Sequence, residues 1–134
     1  EDIEKFIIEL KKSNIKNVIL PVSAPFHCPL MSPATKIMNK QLRETIFSVP
    51  NNKIVSNVTA ESSNDPEKLR DLLIEQIEKP VRWRESIINM IKLGSKKFIE
   101  IGPGKVLSGL IKRIDRNVEL IQVNNIDDLN NLRK

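Results

Sequence analysis

The chain has 134 residues, 40% of them hydrophobic and 29% charged, which excludes a disordered chain and is typical of one globular domain. No apolar run is long enough to cross a bilayer and the first residues are not signal-like, so we expect no membrane association and a cytoplasmic location. Cys28 is the only cysteine, which excludes an internal disulfide and suits a reducing compartment.

The net charge of +5 comes largely from lysines and arginines in residues 82–116, which we call the basic region. Such a surface is typical of proteins that bind nucleic acid, an acidic protein or a phosphorylated ligand. The chain has four Phe, one Trp and no Tyr, so it lacks the interleaved aromatic residues of a single-strand binder. It also carries no nucleic-acid-binding motif, and we expect no nucleic-acid partner.

The N-terminal third is predicted to form a helix, a strand and a second helix. Glu1–Lys12 has the apolar spacing of an amphipathic helix, and Asn17–Val22 is a β-branched run that predicts a strand. Ser32 is predicted to cap the second helix, with Pro33 at its first position. We expect that helix to continue to about Phe47.

The middle of the chain is predicted to form a strand followed by a capped helix. Lys53–Val58 has the composition of a buried strand. Asp65 and Pro66 form a cap-plus-proline helix start, and the helix is expected to break at Lys79–Pro80 because proline disfavours helical geometry in the residue before it.

The C-terminal part alternates helix and strand. Val81–Leu93 is predicted to be a helix with Gly94 as its C-terminal cap, and Lys97–Ile101 a strand. A helix at Val106–Ile114 and a strand at Val118–Val123 follow. This alternation predicts an α/β fold with a mostly parallel sheet covered by helices.

His27, the only histidine, lies in a loop after the first predicted strand. An imidazole at that place suits a general base, because its ordinary pKa lies near neutrality. The alternative is a loop histidine without a chemical role. Gln76 lies near a helix end, where its main-chain carbonyl is available to accept a hydrogen bond from an imidazole and fix its tautomer. The alternative for Gln76 is a solvated residue at a helix end.

Two other features do not carry chemistry in our interpretation. Cys28 adjoins His27, but neighbouring side chains in an extended segment point to opposite sides, which argues against a Cys–His dyad. The turn Gly102–Gly104 lacks both nucleotide-binding glycine patterns, and a tight strand-to-helix turn is favoured.

Four motifs occur in order along the chain: residues 25–27 (Pro-Phe-His), 56–59 (Ser-Asn-Val-Thr), 76–83 (Gln-Ile-Glu-Lys-Pro-Val-Arg-Trp) and 100–107 (Glu-Ile-Gly-Pro-Gly-Lys-Val-Leu). Together they resemble the C-terminal part of the malonyl-CoA:acyl carrier protein transacylases of bacterial fatty-acid synthesis. The resemblance extends from about residue 1 to residue 123.

The resemblance implies a partial α/β-hydrolase-like large subdomain with a mostly parallel sheet at residues 24–134. Residues 1–23 would be the last helix and strand of a ferredoxin-like small subdomain. It implies an acyltransferase that moves malonyl from coenzyme A, through a serine ester, to the phosphopantetheine thiol of acyl carrier protein. No metal or bound cofactor of its own is implied. His27 corresponds to the catalytic histidine, Gln76 to the residue whose carbonyl orients it, and Phe26 to a residue beside the acyl group.

The sequence contains no Gly-x-Ser-x-Gly motif, so the nucleophilic serine that the resemblance implies is not among these residues. We therefore expect the chain alone to be inactive, with the serine supplied by an N-terminal half that is either joined to it or separate. Without that half, exposed apolar surface is expected to make the chain prone to aggregate. The alternative function is an inactive fragment, or a non-catalytic module that docks the acidic carrier protein through the basic region.

Overall fold

The computed structural model describes residues 2–19 and 22–132. Their regular elements, in chain order, are α1 (Asp2–Lys12), α2 (Ser32–Glu44), β1 (Ile54–Val55), β2 (Ser62–Ser63), α3 (Pro66–Glu75), α4 (Trp83–Lys92), β3 (Lys97–Ile101), α5 (Val106–Ile114), β4 (Glu119–Val123) and α6 (Ile126–Leu132). A short 3-10 turn at Pro29–Met31 leads into α2. The predicted α/β class is confirmed.

The C-terminal part contains a parallel βαβ unit. β3 and β4 pair in register from Lys97 opposite Glu119 to Ile101 opposite Val123, with α5 as the crossover. The Nζ atom of Lys97 lies 3.0 Å from a Glu119 carboxylate oxygen at the start of this ladder. The parallel pairing that the alternating pattern predicted is therefore present at this point of the chain.

The strand predicted at Lys53–Val58 is much shorter in the structure. Only Ile54 and Val55 pair, antiparallel, with Ser63 and Ser62. The chain then turns back at once, because the Ala60 amide donates to the Ser56 carbonyl at 2.8 Å.

The strand predicted at Asn17–Val22 is not present at residues 17–19 or at Val22, and residues 20 and 21 lie outside the described part of the chain. A β-branched run forms a strand only where a neighbouring strand accepts its hydrogen bonds. Val18 instead has 85% of its surface exposed, and no strand pairs with the described residues of this run.

The structure confirms two of the predicted helix ends and contradicts a third. Asp65 caps α3 through its side chain, which accepts from the amides of Glu67 and Lys68. Gly94, with φ at +99°, ends α4 with the paired hydrogen bonds of a Schellman motif, as predicted. The prediction of Ser32 as N-cap is wrong, because the preceding 3-10 turn continues directly into α2 and gives Ser32 helical angles.

Other helix assignments also differ from the sequence prediction. α3 ends at Glu75 rather than at Lys79–Pro80, because the amides of Glu78 and Lys79 both donate to the Glu75 carbonyl. α2 ends at Glu44 rather than near Phe47, because Thr45 is extended and its hydroxyl donates to the Gln41 carbonyl at 2.8 Å. α6 was not predicted. Its start is capped by Asn125, whose side chain accepts from the amides of Asp127 and Asp128 at 2.9 and 3.0 Å.

The best-buried core lies where α4 and α5 pack on one face of β3. Ile87 of α4 is only 1% exposed, and it lines a small apolar space with Phe98 of β3 and Ile111 of α5. The other face of β3 carries Ile99 and Ile101, which are exposed. Within residues 2–19 and 22–132, no helix combines the length and hydropathy that a membrane crossing requires.

Candidate active site

His27 is presented by a tight loop immediately before the 3-10 turn. The Phe26 amide donates to the Ala24 carbonyl at 2.9 Å, and the Cys28 thiol donates to the Pro25 carbonyl at 3.1 Å. His27 itself has a φ of +59°, a left-handed conformation that is uncommon for a residue with a side chain. These bonds hold the loop in a conformation that projects the imidazole and the exposed Phe26 ring from the surface.

Packing of α2 against α3 brings this loop to the C-terminal end of α3. The guanidinium of Arg43, near the end of α2, lies 2.7 Å from the carboxylate of Asp71 in α3. Arg70 of α3 also lies over the ring of Phe47, 5.0 Å from its centroid. These contacts join the end of α2, and the residues just after it, to the middle of α3. The loop before α2 reaches the end of α3 at Gln76, so the two helices run antiparallel.

Gln76 caps the C-terminal end of α3 and has a free main-chain carbonyl there. In a continuing helix that carbonyl would accept from the amide four residues later, but that residue is Pro80, which has no N–H. The next turn uses other acceptors, because the amides of Glu78 and Lys79 both donate to Glu75. The Lys79–Pro80 break therefore leaves the Gln76 carbonyl available to a side chain.

The His27 imidazole forms a hydrogen bond with this carbonyl: its Nδ1 atom lies 2.7 Å from the Gln76 carbonyl oxygen. A carbonyl oxygen only accepts, so Nδ1 carries the hydrogen and donates it. The neutral ring then has its lone pair on Nε2, and the exposed position of His27 leaves it accessible. This arrangement suits proton transfer by Nε2 to or from a group brought to the surface.

Gln76 is itself held by Asn57, in the loop after β1. Asn57 Nδ2 donates to the Gln76 side-chain oxygen at 3.3 Å, and the Asn57 carbonyl accepts from the Arg82 amide at 2.9 Å. The Arg82 guanidinium in turn donates to the Thr59 carbonyl at 3.2 Å. Sequence reasoning did not single out Asn57, although it lies in the second of the four motifs. These contacts join the first three motifs into one site.

An apolar groove adjoins the site. It has a volume of about 360 Å³ and is lined on its apolar side by Phe47, Ile54, Leu69, Leu72 and Leu73. Asn57 and Gln76 contribute polar groups to the same groove. Within the described ranges, no cluster of three or more His, Cys, Asp or Glu side chains could hold a metal ion.

The Gly102–Gly104 turn is built as a structural connection. Its Gly104 amide donates to the Asn124 side chain at 2.7 Å, and the Gly102 amide donates to the Val123 carbonyl at 3.0 Å. Both glycines have positive φ, at +137° and +101°. The amides that a phosphate would need are thus occupied, and this supports the interpretation of a strand-to-helix turn.

Glu100 occupies the N-terminal end of α5. Its carboxylate accepts from the Ser108 hydroxyl at 2.6 Å and from the amides of Ser108 and Leu107 at 2.8 and 3.0 Å. The Ser108 hydroxyl first, and then the Ser108 amide, lower the pKa of Glu100; desolvation opposes them, and the Leu107 amide adds the smallest lowering effect. A charged carboxylate therefore neutralises the helix start that an anion would otherwise use.

This chain is similar in sequence and in structure to known proteins. No family model matches the chain. The malonyl CoA-acyl carrier protein transacylase of Bacillus subtilis is 41% identical over 117 residues, which cover 86% of this chain and 37% of that protein. An acyl carrier protein S-malonyltransferase from Vibrio cholerae superposes with a TM-score of 0.83 at 41% identity, covering 93% of this chain and 41% of the other.

The chain is similar to the C-terminal portion of malonyl CoA-acyl carrier protein transacylases. It spans about two fifths of the length of these relatives. A further malonyl-transacylase, solved in complex with its holo type II PKS acyl-carrier protein, has a TM-score of 0.84 at 34% identity and covers 95% of this chain. The resemblance inferred from the four motifs is thus confirmed.

Superposition on the solved transacylases covers 93% and 95% of this chain, so the α/β fold described above is one that they share.

Proposed function

We propose that this chain supplies the general base of a malonyl-CoA:acyl carrier protein transacylase, with His27 as the base and the Gln76 carbonyl as its orienting group. The observation that carries the proposal is the 2.7 Å contact between His27 Nδ1 and that carbonyl, in a chain similar to transacylases over most of its length. The contact selects the tautomer in which Nε2 is free to accept a proton.

In the first half-reaction, Nε2 accepts the proton of a serine hydroxyl while the serine oxygen bonds to the malonyl carbonyl carbon. The carbon–sulfur bond of malonyl-CoA then breaks, and coenzyme A leaves as a thiol with the proton from Nε2. In the second half-reaction, the carrier-protein thiol gives its proton to Nε2 and its sulfur bonds to the malonyl carbon. The serine oxygen departs and recovers the proton.

The serine belongs to a part of the enzyme that these residues do not include, since the sequence has no Gly-x-Ser-x-Gly motif. We propose that an N-terminal portion supplies it, either joined to this chain or as a separate chain. The same portion would complete the acyl pocket beside the ring of Phe26, a residue that is 57% exposed next to His27. The bulk of that ring would disfavour a branched acyl group.

The second candidate function is docking of acyl carrier protein without catalysis. It is favoured by the exposed side chains of Lys112 and Arg113 in the last turn of α5, and by the relative solved with its carrier protein. Exposed lysine and arginine side chains steer an acidic partner from a distance. The two candidates share this partner and differ in whether a proton is transferred at His27.

Malonyl transfer measured with and without an N-terminal portion tests the proposal. The purified chain is assayed alone, then mixed with or fused to the N-terminal portion of the Bacillus subtilis transacylase that precedes the matched region. We expect no transfer above background from the chain alone and clear transfer from the combined protein. Transfer by the chain alone would show that no serine from an N-terminal portion is needed. A fusion that folds but does not transfer malonyl would reject the proposed function.

A further inference from the structure

We infer that Asn57 is a positioning residue for His27, and that it acts through the side chain of Gln76. This inference deepens the proposed function and rests on the proposed role of His27. Asn57 lies in the loop after β1, and its own contacts are to Gln76 and Arg82. Asn57 therefore acts on the imidazole through Gln76, the residue whose main-chain carbonyl the imidazole uses.

The geometry at Asn57 is a clamp across the Lys79–Pro80 break. Its side-chain Nδ2 donates to the Gln76 side chain at 3.3 Å, before the break. Its main-chain carbonyl accepts from the Arg82 amide at 2.9 Å, after the break. One residue thus ties both ends of the segment that connects α3 to α4.

This clamp matters because the helix does not fix the Gln76 carbonyl. The amide that would hold it in a continuing helix is missing at Pro80. The direction of the carbonyl is set instead by the turn in which Gln76 lies, and Asn57 and Gln76 are both partly buried where their side chains meet. A hydrogen bond in this partly shielded place restricts the turn to the orientation that faces His27.

The only histidine of the chain reports directly on this effect. The 15N resonances of its two ring nitrogens, measured at alkaline pH where imidazoles are neutral, give the ratio of the Nδ1–H to the Nε2–H tautomer. Asn57→Ala removes the side-chain hydrogen bond and keeps the main-chain one to Arg82. We expect the ratio to fall about two- to tenfold, the range that corresponds to one net hydrogen bond.

A double-mutant cycle shows whether Asn57 acts through the Gln76 side chain. Gln76→Ala removes the acceptor of the Asn57 side chain but retains the main-chain carbonyl that His27 uses. We expect Asn57→Ala, Gln76→Ala and the double variant to give the same reduced ratio, because each breaks the same contact. Should Asn57→Ala fail to fold, Gln76→Ala tests that contact from its other end, with amide spectra reporting the fold.

Asn89→Ala is the matched control, because the Asn89 side chain donates to the Ala60 carbonyl at 3.0 Å in the same turn region without contacting Gln76. We expect it to leave the tautomer ratio unchanged. The inference would be overturned if Asn89→Ala changed the tautomer ratio as much as Asn57→Ala does. It would also be overturned if the changes from Asn57→Ala and Gln76→Ala were additive in the double variant, or if a folded Asn57→Ala left the ratio unchanged. The measurement needs neither serine nor substrate, so a combined protein that fails to transfer malonyl would refute only the proposed function.

Discussion

At the level of single residues, Glu100 shows how the fold changes the pKa of a side chain. Strand β3 places its carboxylate against the first turn of α5, where a hydroxyl and two amides donate to it. All three contacts favour the charged form, so the pKa of Glu100 lies below its ordinary value. Glu100 therefore fixes the end of α5 as long as it stays ionised.

We expect the stability of the chain to depend on pH through Glu100. Because folding lowers the pKa of this group, its contribution is fully present above about pH 4.5 and is lost as the pH falls through the lower folded value. Glu100→Gln should reduce the free energy of unfolding at neutral pH and flatten its decline in acid. Urea unfolding at several pH values measures both effects.

The control for this prediction is Glu44→Gln, at an exposed residue that ends α2. It should leave the acid decline as steep as in the unmodified chain. An equally steep decline in Glu100→Gln would show that the contacts at Ser108 and Leu107 do not link protonation of Glu100 to folding.

At the level of elements, Gln76 directly follows the last residue of α3, and Asp65 determines where α3 begins. Its carboxylate accepts from two amides that the helix leaves unpaired. We expect Asp65→Ala to lower the free energy of unfolding by about 1 kcal/mol, the usual cost of losing an N-cap. Denaturant unfolding followed by circular dichroism provides the measurement.

Ser32→Ala is a suitable comparison, because Ser32 lies inside α2 rather than at its cap. We expect a change within about 0.5 kcal/mol for this variant. If Asp65→Ala proved as mild as Ser32→Ala, the carboxylate would not be the group that stabilises the start of α3.

The elements that could be predicted from the sequence are those specified by local chemistry. The Asp65 cap, the Gly94 stop and the β3–α5–β4 unit depend on residues close together in the chain, and their signals were interpreted correctly. The strand at residues 17–22 was predicted from composition alone, although pairing requires a neighbour that no sequence pattern of this chain identifies. α6 is not predicted because it has only seven residues, with two aspartates in its first turn, and is too short for an apolar helical pattern to stand out.

The candidate site was predictable only in part, for the same reason. Gln76 and His27 are 49 positions apart, and the resemblance suggested their association, while the contact itself follows from the packing of α2 on α3. The left-handed conformation of His27 and the link from Asn57 to Gln76 are features of the folded loops. Neither leaves a trace in hydrophobic periodicity, so sequence analysis did not find them.

At the level of the whole molecule, extensive apolar surface is exposed in the described ranges. Ile46 is 91% exposed and Ile101 is 78% exposed, and further apolar side chains of α1 and α2 are also open to solvent. Apolar side chains left this exposed are typical of a surface that another part of a protein covers. The chain spans only about two fifths of its relatives, and the remaining portion of such a protein is the cover we propose.

Charge reversal in the last turn of α5 tests the proposed docking of acyl carrier protein. Lys112→Glu with Arg113→Glu should weaken binding at low salt, mainly through slower association, because two steering charges are reversed. Surface plasmon resonance at two salt concentrations measures this effect. Lys36→Glu with Lys40→Glu, on exposed α2 positions, is the matched control and should bind more tightly than the α5 variant. Equal binding by both would argue against docking at α5.

The most direct test of the central claim is the rate of malonyl transfer from malonyl-CoA to acyl carrier protein by a fusion of this chain to the N-terminal portion of a transacylase. With His27 present we expect turnover, and His27→Ala should reduce it by about 10² to 10⁴, the contribution of a general base. Lys36→Ala, at an exposed residue of α2 outside the His27 loop, should retain most of the activity. A fusion whose rate is unaffected by His27→Ala would contradict the assignment of His27 as the base.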